Sequence, residues 1–282
     1  MSANRMTLNE RLMYATVRIH GRGEAGEEIG GTGFLVSHPC APGVRVRMLV
    51  TNRHVVGALV RGALHFHRPR AAAEGGRLPT AASVPVQLED FGRDWVTHPD
   101  PGIDLCALPY GVVDDALRAA GREVYETFFE SSQVIPPDEA SAGLDAAEEV
   151  HLIGYPEGVC GDDDSLPVFR RGTVASHPRA DYRGRPEVLI DVAASDGCSG
   201  APVVVLDREV TNQGWGDRRP VTLLGVLTSG FGRGPEGVVK DDLVFRTGKQ
   251  KLSPSTVHLC AVVKARELLA LADAVAAKAA CR

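Results

Sequence analysis

Short apolar runs rich in Val, Ile and Leu recur along the chain, bounded by Gly, Pro or Asp. Runs of five to eight residues with such boundaries predict β-strands rather than helices. They fall at Ala15–Ile19, Gly33–Ser37, Val44–Thr51, Val84–Leu88, Leu105–Pro109, Val150–Gly154, Gly172–Ser176, Val188–Val192, Pro202–Leu206, Val221–Leu227 and Thr256–Val262. The spacing changes near the C-terminus, where Val263, Leu268, Leu269, Leu271, Ala272 and Val275 recur at helical intervals. Lys278 and Arg282 stand near the end that a helix dipole leaves negative. Many short strands joined by loops predict an all-β chain, as barrels or a sandwich, with one C-terminal helix. Long polar loops are expected at Arg68–Pro79, Gly158–Pro167, Pro178–Pro186 and Arg208–Pro220. The polar, alanine-rich segment Asp138–Glu149 reads as a connector, which divides the chain into 1–137 and 138–282.

Composition narrows the function classes. With 282 residues, 44% hydrophobic and 24% charged, the chain can bury a sizeable core. A net charge of -5 offers no basic surface for nucleic acid. No apolar run approaches a membrane span, and Met1–Met13 is too polar for a secretory signal, so a cytoplasmic protein is expected. The six cysteines (Cys40, Cys106, Cys160, Cys198, Cys260, Cys281) are scattered, with neither a Cys-x-x-Cys pair nor zinc spacing, and are expected as reduced thiols. Asp162–Asp164 lacks the spacing of a calcium loop, and His65-x-His67 has too few partners for zinc. Neither a metal nor any other cofactor is expected.

The stretch Asp196-Gly197-Cys198-Ser199-Gly200-Ala201-Pro202, followed by Val203–Leu206, presents a hydroxyl on a tight turn ahead of a strand. Glycine there lets backbone N–H groups approach whatever sits above the serine, as an oxyanion hole requires. Upstream, Met48–Val50 leads through Thr51-Asn52-Arg53 to His54, and Gly102-Ile103 precedes Asp104 at the start of a further apolar run. Alone, His54 and Asp104 each read first as an ordinary turn or capping residue. Together, in the order His54, Asp104, Ser199, they supply a base, a carboxylate and a nucleophile.

On these three motifs the chain resembles the chymotrypsin/trypsin-like serine peptidases, whose triad has the same order and similar gaps. Gly31-Thr32-Gly33-Phe34-Leu35-Val36 makes it most similar to bacterial members, including the HtrA-type protease domain without an appended PDZ domain. The resemblance spans roughly residues 14–275. It implies two six-stranded antiparallel β-barrels, with His54 and Asp104 in the first, Ser199 in the second, and the C-terminal helix packed across the second. It also implies an oxyanion hole from the N–H groups of Gly197 and Ser199. In Gly225–Gly232, Thr228 would help hold the aspartate, while Ser229 and Gly230 would face an extended substrate.

Two departures matter. Cys198 stands where digestive relatives carry the aspartate that pairs with a newly cut N-terminus, so that activation switch is absent. A redox role for this thiol is weighed against plain packing. Ala193, six residues before Ser199, replaces the aspartate that selects Arg or Lys, which implies an uncharged pocket for small or medium apolar side chains. The sequence reading is a serine endopeptidase acting on a protein or peptide substrate, such as a cognate intracellular partner. The rivals are a peptide-binding module or pseudoenzyme without turnover, and an esterase using the same triad.

Overall fold

The structure is a computed structural model that describes residues 6–72, 75–88, 90–136, 143–159, 166–207, 220–233, 239–243 and 258–280. Helix α1 (Leu8–Tyr14) leads into β1 (Thr16–Arg22), β2 (Glu28–Ala41) and β3 (Val44–Thr51), then α2 (Arg53–Gly57). Next come β4 (Arg61–Ala71), β5 (Arg77–Gln87), β6 (Val96–Thr97), β7 (Cys106–Pro109) and α3 (Tyr110–Ala120), then β8 (Phe129–Glu130) and α4 (Ser131–Val134). Strand neighbours run β5-β4-β1-β2-β3-β7-β6, antiparallel throughout, with β8 added in parallel to β2. Side chains alternate across a strand, so each strand turns one set inward. Val17, Ile19, Leu35, Leu49, Leu64, Phe66, Val84, Val86 and Leu108 meet in one buried core. Strands sharing one interior make a barrel, and among the described pairings its wall stays open between β5 and β6.

The second half contains β9 (Glu149–Gly154), β10 (Val168–Val174), β11 (Glu187–Asp191), β12 (Pro202–Leu206), β13 (Val221–Arg233), β14 (Val239–Leu243), β15 (Leu259–Lys264) and helix α5 (Glu267–Ala280). Its order is β12-β9-β10-β11-β15-β13-β14, and β12 also pairs with β13. Six strands therefore close into a barrel, and β14 lies outside it on the edge of β13. Val150, Leu152, Val188, Ile190, Val203, Leu227 and Val262 fill the interior. The architecture is the mostly β one expected, with a C-terminal helix; the second half closes with the six strands expected, whereas the first is an eight-stranded sheet.

The helix corrects one expectation. Its stripe, Leu268, Leu271, Ala272 and Val275, is buried at helical spacing, but it does not lie across the second barrel. α5 packs on β7, β3, β2 and β6 of the first. Phe34, Val36, Met48, Val50 and Ala107 form the outer face of that sheet and share a core with the helix and with Ile153, Val204 and Val226. Glu267 lies 3.7 Å from His98 Nε2, and Lys278 Nζ donates to the Asp94 carbonyl at 3.2 Å. A strand buried on both faces reads as a continuous apolar run, as Met48–Val50 does, and creates a second face that needs cover.

The loop expected at Arg68–Pro79 is largely a hairpin of β4 and β5. Proline lacks the N–H that a ladder needs, yet Pro69 and Pro79 lie opposite each other beside a register shift. They sit beyond His65, where the pairing of β4 to β1 ends. α3, which the sequence reading did not contain, buries Tyr110, Val113 and Leu117 and stops at Gly121, whose φ is 58°. Among the described residues, no helix is long and apolar enough to cross a membrane. Asp162–Asp164, Arg208–Val210 and most of the loop that follows lie outside the described residues.

Candidate active site

The end of β3 delivers the histidine. Asn52 occupies the N-cap of α2, but its side chain makes no cap; Nδ2 donates instead to the Asp104 carbonyl at 2.9 Å. Asp104 follows a turn in which the Asp100 carboxylate accepts the Gly102 N–H at 2.8 Å. Buried Ile103 and Leu105 anchor it on either side. Arg53 donates to the Pro101 carbonyl at 3.0 Å, tying the two loops together.

Both Asp104 oxygens are engaged. Oδ1 accepts the His54 backbone N–H at 3.1 Å, while Oδ2 accepts His54 Nδ1 at 2.5 Å and the Thr228 hydroxyl at 3.1 Å. A carboxylate only accepts, so this bond puts the ring proton on Nδ1 and leaves Nε2 with its lone pair. His54 Nε2 is buried with no hydrogen-bond partner, and Ser199 Oγ shares that condition.

The serine turn packs on the strand that leads to His54. Gly197 and Gly200 take φ of 87° and 84°, a region that L side chains rarely adopt. A Cβ on Gly200 would stand 2.3 Å from Thr51 Oγ1, and one on Gly197 would stand 2.3 Å from the Tyr155 carbonyl. The Gly200 N–H donates to the Leu227 carbonyl at 2.9 Å, which seats the turn beside Thr228. The structure thus brings Ser199, Thr228, Asp104 and His54 to the junction of the barrels.

Burial sets the electrostatics here. Desolvation holds the Asp196 carboxyl above its usual range. Glu157 is raised too, first by desolvation; the Gly30 N–H bond opposes this and the Asp196 charge adds to it. Desolvation also raises the Cys198 thiol, which is 1% exposed in the second barrel's core. That is the setting of a packing residue rather than a reactive thiol.

The trypsin-like peptidase domain family matches residues 31–211. The chain belongs to this family. No curated protein matches the sequence. Solved structures with a similar fold include the HtrA-type protease AlgW with a tripeptide, 14% identical with a TM-score of 0.47, covering 94% of this chain and 62% of that one. This trypsin-like peptidase domain thus spans less than two thirds of the length of AlgW. The active form of the Rv3671c protease from M. tuberculosis is 16% identical, with 95% and 85% covered and a TM-score of 0.46. The MamO protease domain from Magnetospirillum magneticum is 17% identical, with 93% and 97% covered and a TM-score of 0.47.

The residues expected to meet substrate are placed unevenly. Thr228 is buried with its hydroxyl on Asp104. Ala193 is exposed, and its carbonyl accepts the Arg170 guanidinium. Ser229 and Gly230 pair with Ala261 and Cys260 of β15, and Gly230 also pairs with Leu243 of β14. The edge expected to be open to substrate at Gly230 is therefore taken by β14. Asn52, Thr32 and Glu157 had no role in the sequence reading. Thr32 lay in view inside Gly31-Thr32-Gly33, but nothing near Glu157 in sequence marks it. His65 and His67 lie on β4, where His65 Nδ1 meets Ser83 Oγ at 3.0 Å. His67 stacks edge-on with Tyr14, and desolvation lowers its pKa to about 4. Among the described residues, no group of three or more His, Cys, Asp or Glu could hold a metal ion.

Proposed function

We propose that the chain is a serine endopeptidase with His54, Asp104 and Ser199 as its catalytic residues. The observation that carries this reading is the His54 Nδ1–Asp104 Oδ2 contact of 2.5 Å, braced by Thr228, with Nε2 and Ser199 Oγ left unpartnered. A serine hydroxyl is a poor nucleophile at neutral pH and needs a base. His54 Nε2 takes the Oγ proton as Oγ attacks the peptide carbonyl, and Asp104 stabilises the imidazolium that forms. The N–H groups of Gly197 and Ser199 receive the developing oxyanion. His54 then returns the proton to the leaving amine, and water releases the acyl group by the same route. The substrate is a protein or peptide lying along β13 beside Thr228 and Ser229, with its P1 side chain toward Ala193.

Incubation with denatured casein tests this reading against a peptide-binding module. Wild type should release fragments that Ser199→Ala does not. Casein held but never cut by the wild type would favour the binding reading. New C-termini carrying small or medium apolar residues would support the Ala193 pocket, and cuts after Arg or Lys would contradict it.

A further inference from the structure

Four consecutive carbonyls of the serine turn are held. Asp196 O accepts the Glu157 N–H at 2.9 Å and Gly197 O accepts the Thr32 hydroxyl at 2.8 Å. Cys198 O accepts the Ala201 N–H at 3.0 Å and Ser199 O accepts the Thr32 N–H at 2.8 Å. A trans peptide is planar, with its C=O and N–H pointing opposite ways. Holding Asp196 O therefore aims the Gly197 N–H, and holding Cys198 O aims the Ser199 N–H. Among the described residues, neither of these N–H groups donates a hydrogen bond. Their neighbours do: Cys198 N–H reaches Ser195 O at 3.1 Å and Gly200 N–H reaches Leu227 O at 2.9 Å. The turn keeps free the two donors that an oxyanion needs.

Three of the four restraints come from outside the turn, two from Thr32 of β2 and one from Glu157, which is itself anchored on β2. The buried Thr32 hydroxyl donates to Gly197 O and accepts the Tyr155 N–H at 3.0 Å, while the Thr32 carbonyl accepts the Thr51 hydroxyl at 2.7 Å. Glu157 holds Asp196 O with its backbone N–H, and its Oε1 accepts the Gly30 N–H of β2 at 3.0 Å. The segment Tyr155–Glu157 is thereby clamped between the first barrel and the peptides on either side of Gly197. Nothing in this arrangement calls on a carboxylate at position 198 or on a newly cut chain end.

We propose that Thr32 and Glu157 are positioning residues that hold the peptides flanking Gly197, so that the oxyanion site stands formed without a proteolytic switch; this rests on the peptidase reading above. Thr32→Val deletes the hydroxyl but keeps the shape and the backbone N–H, while Thr32→Ser keeps the hydroxyl. The probes are p-nitrophenyl acetate, as acyl donor, and a fluorophosphonate that labels reactive serines. Thr32→Val should lower kcat and the labelling rate by about 10- to 100-fold, less than the roughly 10²- to 10³-fold loss from deleting an oxyanion donor. KM should stay within about threefold, because a group acting on the transition state leaves ground-state binding alone. Thr32→Ser should recover most of the rate.

Wild-type rates in a folded Thr32→Val protein, or a Thr32→Ser protein as slow as Thr32→Val, would overturn the proposal. If Thr32→Val does not fold, Glu157→Ala carries the test. It should lower kcat by about 3- to 10-fold, with most of the loss recovered by Glu157→Gln, which can still accept the Gly30 N–H. An unchanged Glu157→Ala rate, or Gln no better than Ala, would overturn it as well. A wild type inert to both probes would sink the peptidase reading and this proposal together. A reactive wild type with indifferent variants would sink this proposal alone.

Discussion

At the scale of single residues, Asp104 fixes the His54 ring proton on Nδ1 and the ring's orientation, and in the proposed mechanism it also faces the charge that forms during attack. Asp104→Asn keeps the shape but presents an amide to Nδ1, which favours the wrong tautomer. On p-nitrophenyl acetate it should lower kcat by about 10³- to 10⁴-fold with little change in KM, and a loss under tenfold would count against the assigned role. Thr228→Val removes one hydrogen bond to the same carboxylate and should cost about tenfold, with Thr228→Ser close to wild type. Glu157 makes a prediction about stability against pH. Its folded pKa lies above the usual 4.5, chiefly through desolvation. Between the unfolded and folded values the native state holds more protons, so stability falls as pH rises through that window. Glu157→Gln should therefore unfold at a higher temperature than wild type at pH 7, and this advantage should vanish below about pH 4. A difference that is the same at both pH values would contradict the assignment.

At the scale of elements, the outcome divides by whether an element's environment is written in its own residues. β3 and β12 lie where the sequence placed them, at Val44–Thr51 and Pro202–Leu206. Both are apolar runs with clear breakers at their ends. β4 and the start of β5 were hidden by arginines, histidines and prolines, which a strand tolerates at a sheet margin. α5 was legible as a helix, but a stripe of Leu268, Leu271, Ala272 and Val275 names no partner. The partner face belongs to Phe34, Val36 and Val50, some 220 positions away in sequence. The candidates His54, Asp104 and Ser199 were legible because each sits in a local motif. The restraints from Thr32 and Glu157 were not, because they join β2, the segment after β9 and the serine turn, which only the fold brings together. Leu271 is fully buried, so Leu271→Ala should destabilise the protein by about 2–5 kcal/mol in urea unfolding. A cost under 1 kcal/mol would mean that the helix is not part of the shared core.

At the scale of the molecule, the two barrels share a core. Ile153, Val204, Val226 and Val263 of the second pack with Phe34, Met48 and Val50 of the first, and α5 begins from the second to cover the first. Domains joined by such an apolar interface should unfold as one unit. Trp95 is buried in the first barrel, so its fluorescence in a Trp215→Phe background follows that half. Its denaturation midpoint should coincide with the loss of fluorophosphonate labelling, which needs both halves. Midpoints that separate would show barrels of independent stability.

Peptide mapping of a fluorophosphonate adduct by mass spectrometry tests most directly whether Ser199 is a nucleophile activated by His54. The adduct is expected on Ser199, absent from Ser199→Ala, and formed at least about 10²-fold more slowly in His54→Ala. A folded protein that takes no adduct at Ser199, or takes it as fast without His54, would contradict the account.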